Sequence, residues 1–389
     1  MTVKTWSLAG AARFAREART GTATHMRTAE IARRWHKVKM MRAYEIHRAN
    51  FGSRDAATLM LFGGLGYQPP YPAGWDEAAD LVIGDEARHL TEAELYVVTP
   101  QMCDIVIAAA QSLGVEDLQL IDEEDLPSPT GLLVLPYPVL VRTVGGNLGD
   151  DRAFSWHTPA NFTLPDPTNR DAMLMKPSVR VSVYHDTHGP VRPDSFLDLA
   201  AEARQAGTPL PPLILDAVRC LPFRAAEADP QAPARLARAA QAVDGAVRDA
   251  AEAMGQDESR VIGEYASGSQ IEDADDTFTL RFLYAFWRLC EQRIAEVQHI
   301  ETNHAARVIA ERTGMSPEVR VIRLRQRAEQ PHGGAKGRNW QHRWIVKMHK
   351  VRQWYPSEQR HKVIYRGPYI KGPDGKPLLD GETIRALVR

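Results

Sequence analysis

Hydrophobic positions first recur with helical spacing between Thr24 and Asn50. Ile31, Trp35, Val38 and Met41 fall three or four residues apart, while Arg33, Arg34, Lys37, Arg42 and Arg48 lie off that stripe. The spacing predicts an amphipathic helix, and Gly52 supplies a stop. "MLFGGLGYQPPYPAGW" (60–75) then reads as a loop, because glycines and the Pro69-Pro70 pair break any regular element. "TEAELYVVTPQMCDIVIAAAQSLG" (91–114) predicts a strand, a turn at Pro100, and a helix closed by Gly114. "TGLLVLPYPVLVRTV" (130–144) is an apolar strand whose prolines place it at an edge or a bulge.

"SVRVSVYHD" (178–186) alternates apolar and polar positions and predicts a half-buried strand. Residues 225–253 are rich in Ala, with scattered Arg and Asp, and read as exposed helices. One long helix is expected over 277–314, with an apolar first half and Gly314 at its end. After Pro317 the period changes to that of strands: "EVRVIRLRQR" (318–327), "WQHRWIVKMHKV" (340–351) and "RHKVIYRG" (360–367). Helices and strands without regular βαβ alternation predict an α+β fold, with a mixed helical body and a small C-terminal antiparallel β-sheet module. The expected domains are a basic helical arm (1–54), an acidic body ending in the long helix (55–315), and the basic β module (316–389).

Composition changes this picture only through charge. Hydrophobic residues make up 44% and charged residues 25%, ordinary for a globular chain. Cys103, Cys220 and Cys290 lie far apart without a CxxC pair, which fits a reducing compartment and offers no disulfide framework. The first residues lack the apolar core of a secretory signal, and no run approaches the roughly 18 apolar residues of a membrane span. A cytoplasmic location without membrane contact is expected. The net charge of −1 conceals a sharp asymmetry. Residues 1–54 hold 12 Lys/Arg against 3 Asp/Glu, residues 316–389 hold 17 against 6, and residues 55–315 hold 19 against 40. Two basic ends around an acidic centre point to a polyanionic partner, or to docking of the ends onto the centre.

The C-terminal strands carry the candidate chemistry. Along 340–349, Trp340, His342, Trp344, Val346 and Met348 share one parity, and Arg343, Ile345, Lys347 and His349 the other. Arg323 and Arg325 share a parity, as do Lys362 and Arg366. If these strands pair, their cations merge into one surface. Arg323, Arg325, Arg343, Lys347, Arg352, Lys362, Arg366 and Lys371 would then meet phosphates. Trp354, Tyr355, Tyr365 and Tyr369 would stack on unpaired bases, at ~1–3 kcal/mol per base. Arg33, Arg34, Lys37 and Arg42 form a secondary basic helix for phosphates or oligomer contacts. RNA or single-stranded DNA is the expected partner, and no cofactor is implied.

The ending "NWQHRWIVKMHKVRQWYPSEQRHKVIYRGPYIKGPDGKPL" resembles a family of uncharacterised proteins encoded by actinobacteria and their phages. The resemblance extends to "TLRFLYAFWRLCEQRIAE" and more loosely to "AELYVVTPQM" and "EDLPSPTGLLVLPYP". In that family Gly often precedes, and Trp often follows, the histidine matching His349; this chain has Met348 and Lys350. The resemblance implies a cytoplasmic protein of phage- or plasmid-type biology and leaves the chemistry open. In shape, a helix followed by a basic antiparallel sheet is similar to metal-independent ribonuclease toxins related to barnase and RelE. That likeness implies His349 and His361 as base and acid, with Arg343, Lys347 and Arg352 clamping phosphate.

Other groupings are less specific. His342 and His349 have opposite parity and no acidic neighbour, so no metal site is expected there. Arg293 and His299 match the loose spacing of helical ribonucleases resembling HEPN domains, but on a helix they would lie about 120° apart. Glu272, Asp273, Asp275 and Asp276 fit a helix N-terminus better than a cation site. "FGGLG" and "VGGNLG" lack the Lys of a phosphate loop, and the three cysteines sit in apolar surroundings typical of core. Three functions follow: a nucleic-acid-binding protein, a ribonuclease using the same surface, or a homo-oligomeric interaction protein assembled through its basic ends.

Overall fold

The computed structural model describes residues 6–142, 148–165, 173–189, 191–208, 210–224, 259–261, 271–273, 277–292, 295–300, 302–324, 344–346, 349–355, 360–366 and 369–371. Four helices, α1 (Leu8–Thr28), α2 (Glu30–Phe51), α3 (Arg54–Gly64) and α4 (Trp75–Glu92), precede β1 (Glu94–Val98). Helix α5 (Pro100–Ala110) and the short α6 (Val115–Leu118) lead to β2 (Thr130–Arg142), β3 (Leu148–Pro165) and β4 (Met173–Asp186). Then follow β5 (Val191–Pro193), α7 (Asp194–Gln205), β6 (Leu213–Pro222), β7 (Ser259–Val261) and β8 (Ile271–Glu272). Helix α8 (Phe278–Cys290), β9 (Ala295–Ile300), α9 (His304–Thr313) and β10 (Val319–Leu324) come next. The last strands are β11 (Trp344–Val346), β12 (His349–Tyr355), β13 (Arg360–Arg366) and β14 (Tyr369–Lys371).

The dominant feature is an eight-stranded mixed sheet in the order β6-β4-β3-β2-β1-β10-β9, with β8 beside β2. Strand β1 runs parallel to β2 and β10, and β8 parallel to β2; the remaining neighbours are antiparallel. This overturns the expected helical body with its small C-terminal sheet. The sheet is the body, helices flank both faces, and β1-α5-β2 is a parallel crossover unit.

Alternation along the strands builds two cores. Tyr96, Val98, Leu133, Phe154, Trp156 and Val181 pack beneath α5 and α8. Leu95, Val97, Leu132, Val134 and Ala153 pack beneath α1, α3 and α4. Helix α1 contributes Ala12, Ala15, Ala18 and Ala23, small residues that let it lie close to its neighbours. Its Arg19, 2% exposed, donates to Ala93 O at 2.7 Å and also to Ser316 O, tying α1 to the chain before β1 and before β10. Helix α5 begins as its sequence requires, with Pro100 in the first turn and Thr99 Oγ1 accepting Met102 N–H at 3.4 Å.

Strand β2 lies inside the sheet, and its register with β3 shifts between Val134 and Val139, where Pro136 and Pro138 fall. The prolines thus mark a bulge and not an edge. Gly131 on this strand faces the Trp156 ring so closely that a Cβ would lie 2.2 Å from it.

Three predicted elements change identity. Helix α2 ends at Gly52 (φ 64°) as expected, but Ala29 is extended and a separate α1 precedes it. Residues Met60–Gly64 of the expected loop belong to α3, capped by Ser53. The single helix over 277–314 is α8, then β9, then α9. Ile294, Val297 and Ile300 mimic a helical stripe, but six-residue pairing of β9 to β10 overrides that local preference. Finally, "EVRVIRLRQR" enters the central sheet as β10 between β1 and β9, and does not join the C-terminal strands. Among the described residues, no helix is long and apolar enough to cross a membrane.

Candidate functional site

The C-terminal strands form two antiparallel ladders, β11 with β14 and β12 with β13. In the longer ladder His349 stands opposite Arg366, Gln353 opposite Lys362 and Tyr355 opposite Arg360. Positions of the other parity pair Lys350 with Tyr365, Arg352 with Val363, and Trp354 with His361. Cross-strand partners share a face, so the second set brings Lys350, Arg352, His361, Trp354 and Tyr365 into one phase. Trp354 is 48% exposed. Strands β12 and β13 carry five Lys/Arg and two His, with no Asp or Glu. In the shorter ladder Lys371 stands opposite Trp344, and Tyr369 opposite Val346.

This register sorts the predicted residues. Arg352 and Trp354 share a phase; Tyr355, Lys362 and Arg366 belong to the other, with His349. His349 and His361 therefore occupy opposite parities, and a pairing of the two as base and acid gains no support from the ladder. Arg323 lies apart on β10, where it ion-pairs with Glu296 of β9 at 3.0 Å. Arg325, Arg343 and Lys347 lie outside the described residues, as do His342, Arg293, Asp275, Asp276 and the segment 225–253. His299 sits on β9, so the helical Arg–His geometry does not apply.

The basic face of α2 is largely occupied within the chain. Arg33 pairs with Asp80, Arg34 with Glu202, and Lys37 with Asp76 at 2.7 Å. Lys39 joins Asp216 at 3.0 Å, while Arg42 is exposed. Of the acidic run before α8, Asp273 accepts Phe278 N–H at 2.9 Å and a guanidinium N–H of Arg281 at 3.0 Å, while Glu272 pairs with Arg142. Burial pushes the Cys220 thiol up to about 12 and raises Cys103 and Cys290 as well, leaving all three protonated.

Two polar clusters in the central sheet had no warning in the sequence. The first surrounds Glu86 of α4, 1% exposed, which accepts from Ser155 at 2.8 Å, from Ser182 at 2.7 Å, and from Tyr184. Arg180 lies 3.9 Å from Glu86 and 3.7 Å from Asp85, and donates to Tyr67 OH at 2.7 Å. Beside it the His89 and His157 rings stack at 3.8 Å. Burial, reinforced by the charge of its neighbour, takes His89 down to about 3 and lowers His157, so the stack is neutral. The second cluster clamps His185 between Asp150 and Asp216, each at 3.2 Å. Burial would lower His185, but the two carboxylates overcome it and hold the imidazole well above its usual range. Asp151, 5% exposed, is pushed up to about 6 by burial and by neighbouring carboxylates, although Thr279 donates to it at 2.8 Å.

Both clusters pair buried charge across elements: Glu86 ties α4 to β3 and β4, and His185 with Asp150 and Asp216 ties β4 to β3 and β6. Among the described residues, no group of three His, Cys, Asp or Glu could hold a metal ion. No protein-family model, curated protein or solved structure matches the chain. The C-terminal ladder therefore stands as the candidate interface on its own chemistry.

Proposed function

We propose that this protein binds single-stranded nucleic acid, RNA or DNA, through its C-terminal strands. One observation carries the reading: β12 and β13 combine five Lys/Arg with no acidic residue, and one phase of their register unites Lys350, Arg352 and His361 with Trp354 and Tyr365. Phosphates attract the cations, and unstacked bases find aromatic platforms at alternate positions. An antiparallel ribbon suits this task, since cross-strand neighbours repeat every two residues along each strand. The cations of α2 contribute less, because Asp80, Glu202, Asp76 and Asp216 already neutralise most of them.

Fluorescence anisotropy of a labelled single-stranded RNA, titrated with full-length protein at several salt concentrations, tests the reading. Binding is expected to weaken steeply as salt rises, with a slope of about −0.7 per neutralised phosphate in log–log form. No binding at low salt would overturn it, and the basic ends would then serve contacts within or between protein chains.

A further inference from the structure

The corner between α1 and α2 encloses a pocket that neither the sheet clusters nor the C-terminal ladder uses. Only Ala29 separates the two helices, so the last turns of α1 and the first turns of α2 converge. His25 and Met26 come from α1, Trp35 and His36 from α2, and apolar side chains such as Leu199 of α7 and Ile214 of β6 close the far wall. The cavity measures about 20 Å³, room for roughly one water molecule or one ion.

His36 Nδ1 lies 2.8 Å from Ala32 O. A carbonyl only accepts, so Nδ1 carries the proton and Nε2 keeps its lone pair. His36 Nε2, His25 Nε2 and Trp35 Nε1 are all buried, and none has a hydrogen-bond partner in the protein. His36 is 7% exposed and Met26 5%. The Trp35 indole N–H only donates and cannot ligate a cation, so the case for a metal rests on the two imidazole nitrogens; leaving each unmet costs ~1–3 kcal/mol. Lys39, with its ammonium 5.9 Å from the Trp35 ring centroid, is already paired to Asp216.

We propose that this corner is a binding site for a soft monovalent metal cation, copper(I), held by the Nε2 atoms of His25 and His36 and the thioether of Met26, with the Trp35 indole beside it. Thioether and imidazole together select copper(I) over magnesium or calcium, which require oxygen ligands. The bond from Nδ1 of His36 to a backbone carbonyl is the orienting contact that metal-bound histidines characteristically make.

Anaerobic competition of the full-length protein against the copper(I)–bicinchoninate complex tests this site. The wild type is expected to withdraw one copper(I) per chain. His36→Gln and Met26→Leu are each expected to weaken binding at least about tenfold, the lower end of what even outer-shell partners contribute. Should His36→Gln fail to fold, His25→Gln takes its place, and Met26→Leu keeps the core volume. A wild type that withdraws no copper overturns the proposal, the pocket then holding water alone. Equal withdrawal by wild type and variants also overturns it, because the metal would then sit elsewhere.

Discussion

Asp151 shows how one residue sets a pH dependence. Its carboxyl is buried, and its pKa stands at about 6 against an ordinary 3.8. A raised acid favours the folded state while protonated, so its contribution is complete below the unfolded value and is lost as pH rises through about 6. Asp151→Asn cannot ionise and keeps an oxygen for Thr279. In urea unfolding, the stability of this variant relative to wild type should increase between pH 4 and pH 7, by on the order of 2–3 kcal/mol. A difference that stays constant over that range would contradict the assignment. Removing Glu86 has the opposite effect on stability: Ser155, Ser182 and Tyr184 lose their carboxylate acceptor and Arg180 keeps only Asp85 and Tyr67. Glu86→Leu should cost roughly 3–5 kcal/mol in the same assay, the scale for breaking a buried charge pair.

Neither residue was legible from the sequence, for a physical reason. "SVRVSVYHD" alternates as a half-buried strand should, yet every position from Ser178 to Tyr184 is buried. The polar phase of β4 faces α4, where Glu86 satisfies Ser182 and Tyr184. Periodicity distinguishes two faces of a strand, but it cannot tell solvent from a buried carboxylate contributed by a distant helix.

At the scale of elements, local signals were readable where local chemistry decides. Gly52 ends α2, the prolines of β2 mark its bulge, and Asp273 accepts at the first turn of α8; by contrast Pro100 lies in the first turn of α5 and not in a separate turn, and α5 stops at Ala110, with Gly114 starting α6. What failed was pairing. Strand β9 exists because β10 lies beside it, and β10 belongs to the central sheet because β1 does; neither partnership leaves a mark on the local sequence. The approach of Gly131 to Trp156 is another such long-range fact. Gly131→Ala should force the indole or the strand to shift and cost about 1–3 kcal/mol, readable as a lowered thermal midpoint. An unchanged midpoint would mean that β2 and β3 adjust freely, against the tight register between them.

For the whole molecule, the charge asymmetry has two different outcomes. The basic N-terminal residues fold back: α2 lays Arg33, Arg34, Lys37 and Lys39 against carboxylates of α4, α7 and β6. This is the docking of a basic end onto the acidic centre that composition allowed. Exposed ion pairs of this kind contribute little stability each, ~0–1 kcal/mol, but they lower the net field of that face. Strands β12 and β13 carry five Lys/Arg and no Asp or Glu within their own residues.

The central claim is that this second concentration, and not the first, meets phosphate. The direct measurement is the salt slope of single-stranded RNA binding for two charge-removal variants against wild type. Lys350→Gln with Arg352→Gln should flatten the slope by about 0.7 for each phosphate that is no longer neutralised, whereas Arg33→Gln with Lys37→Gln should leave it close to wild type. If the α2 variant flattens the slope and the β12 variant does not, the C-terminal assignment is wrong.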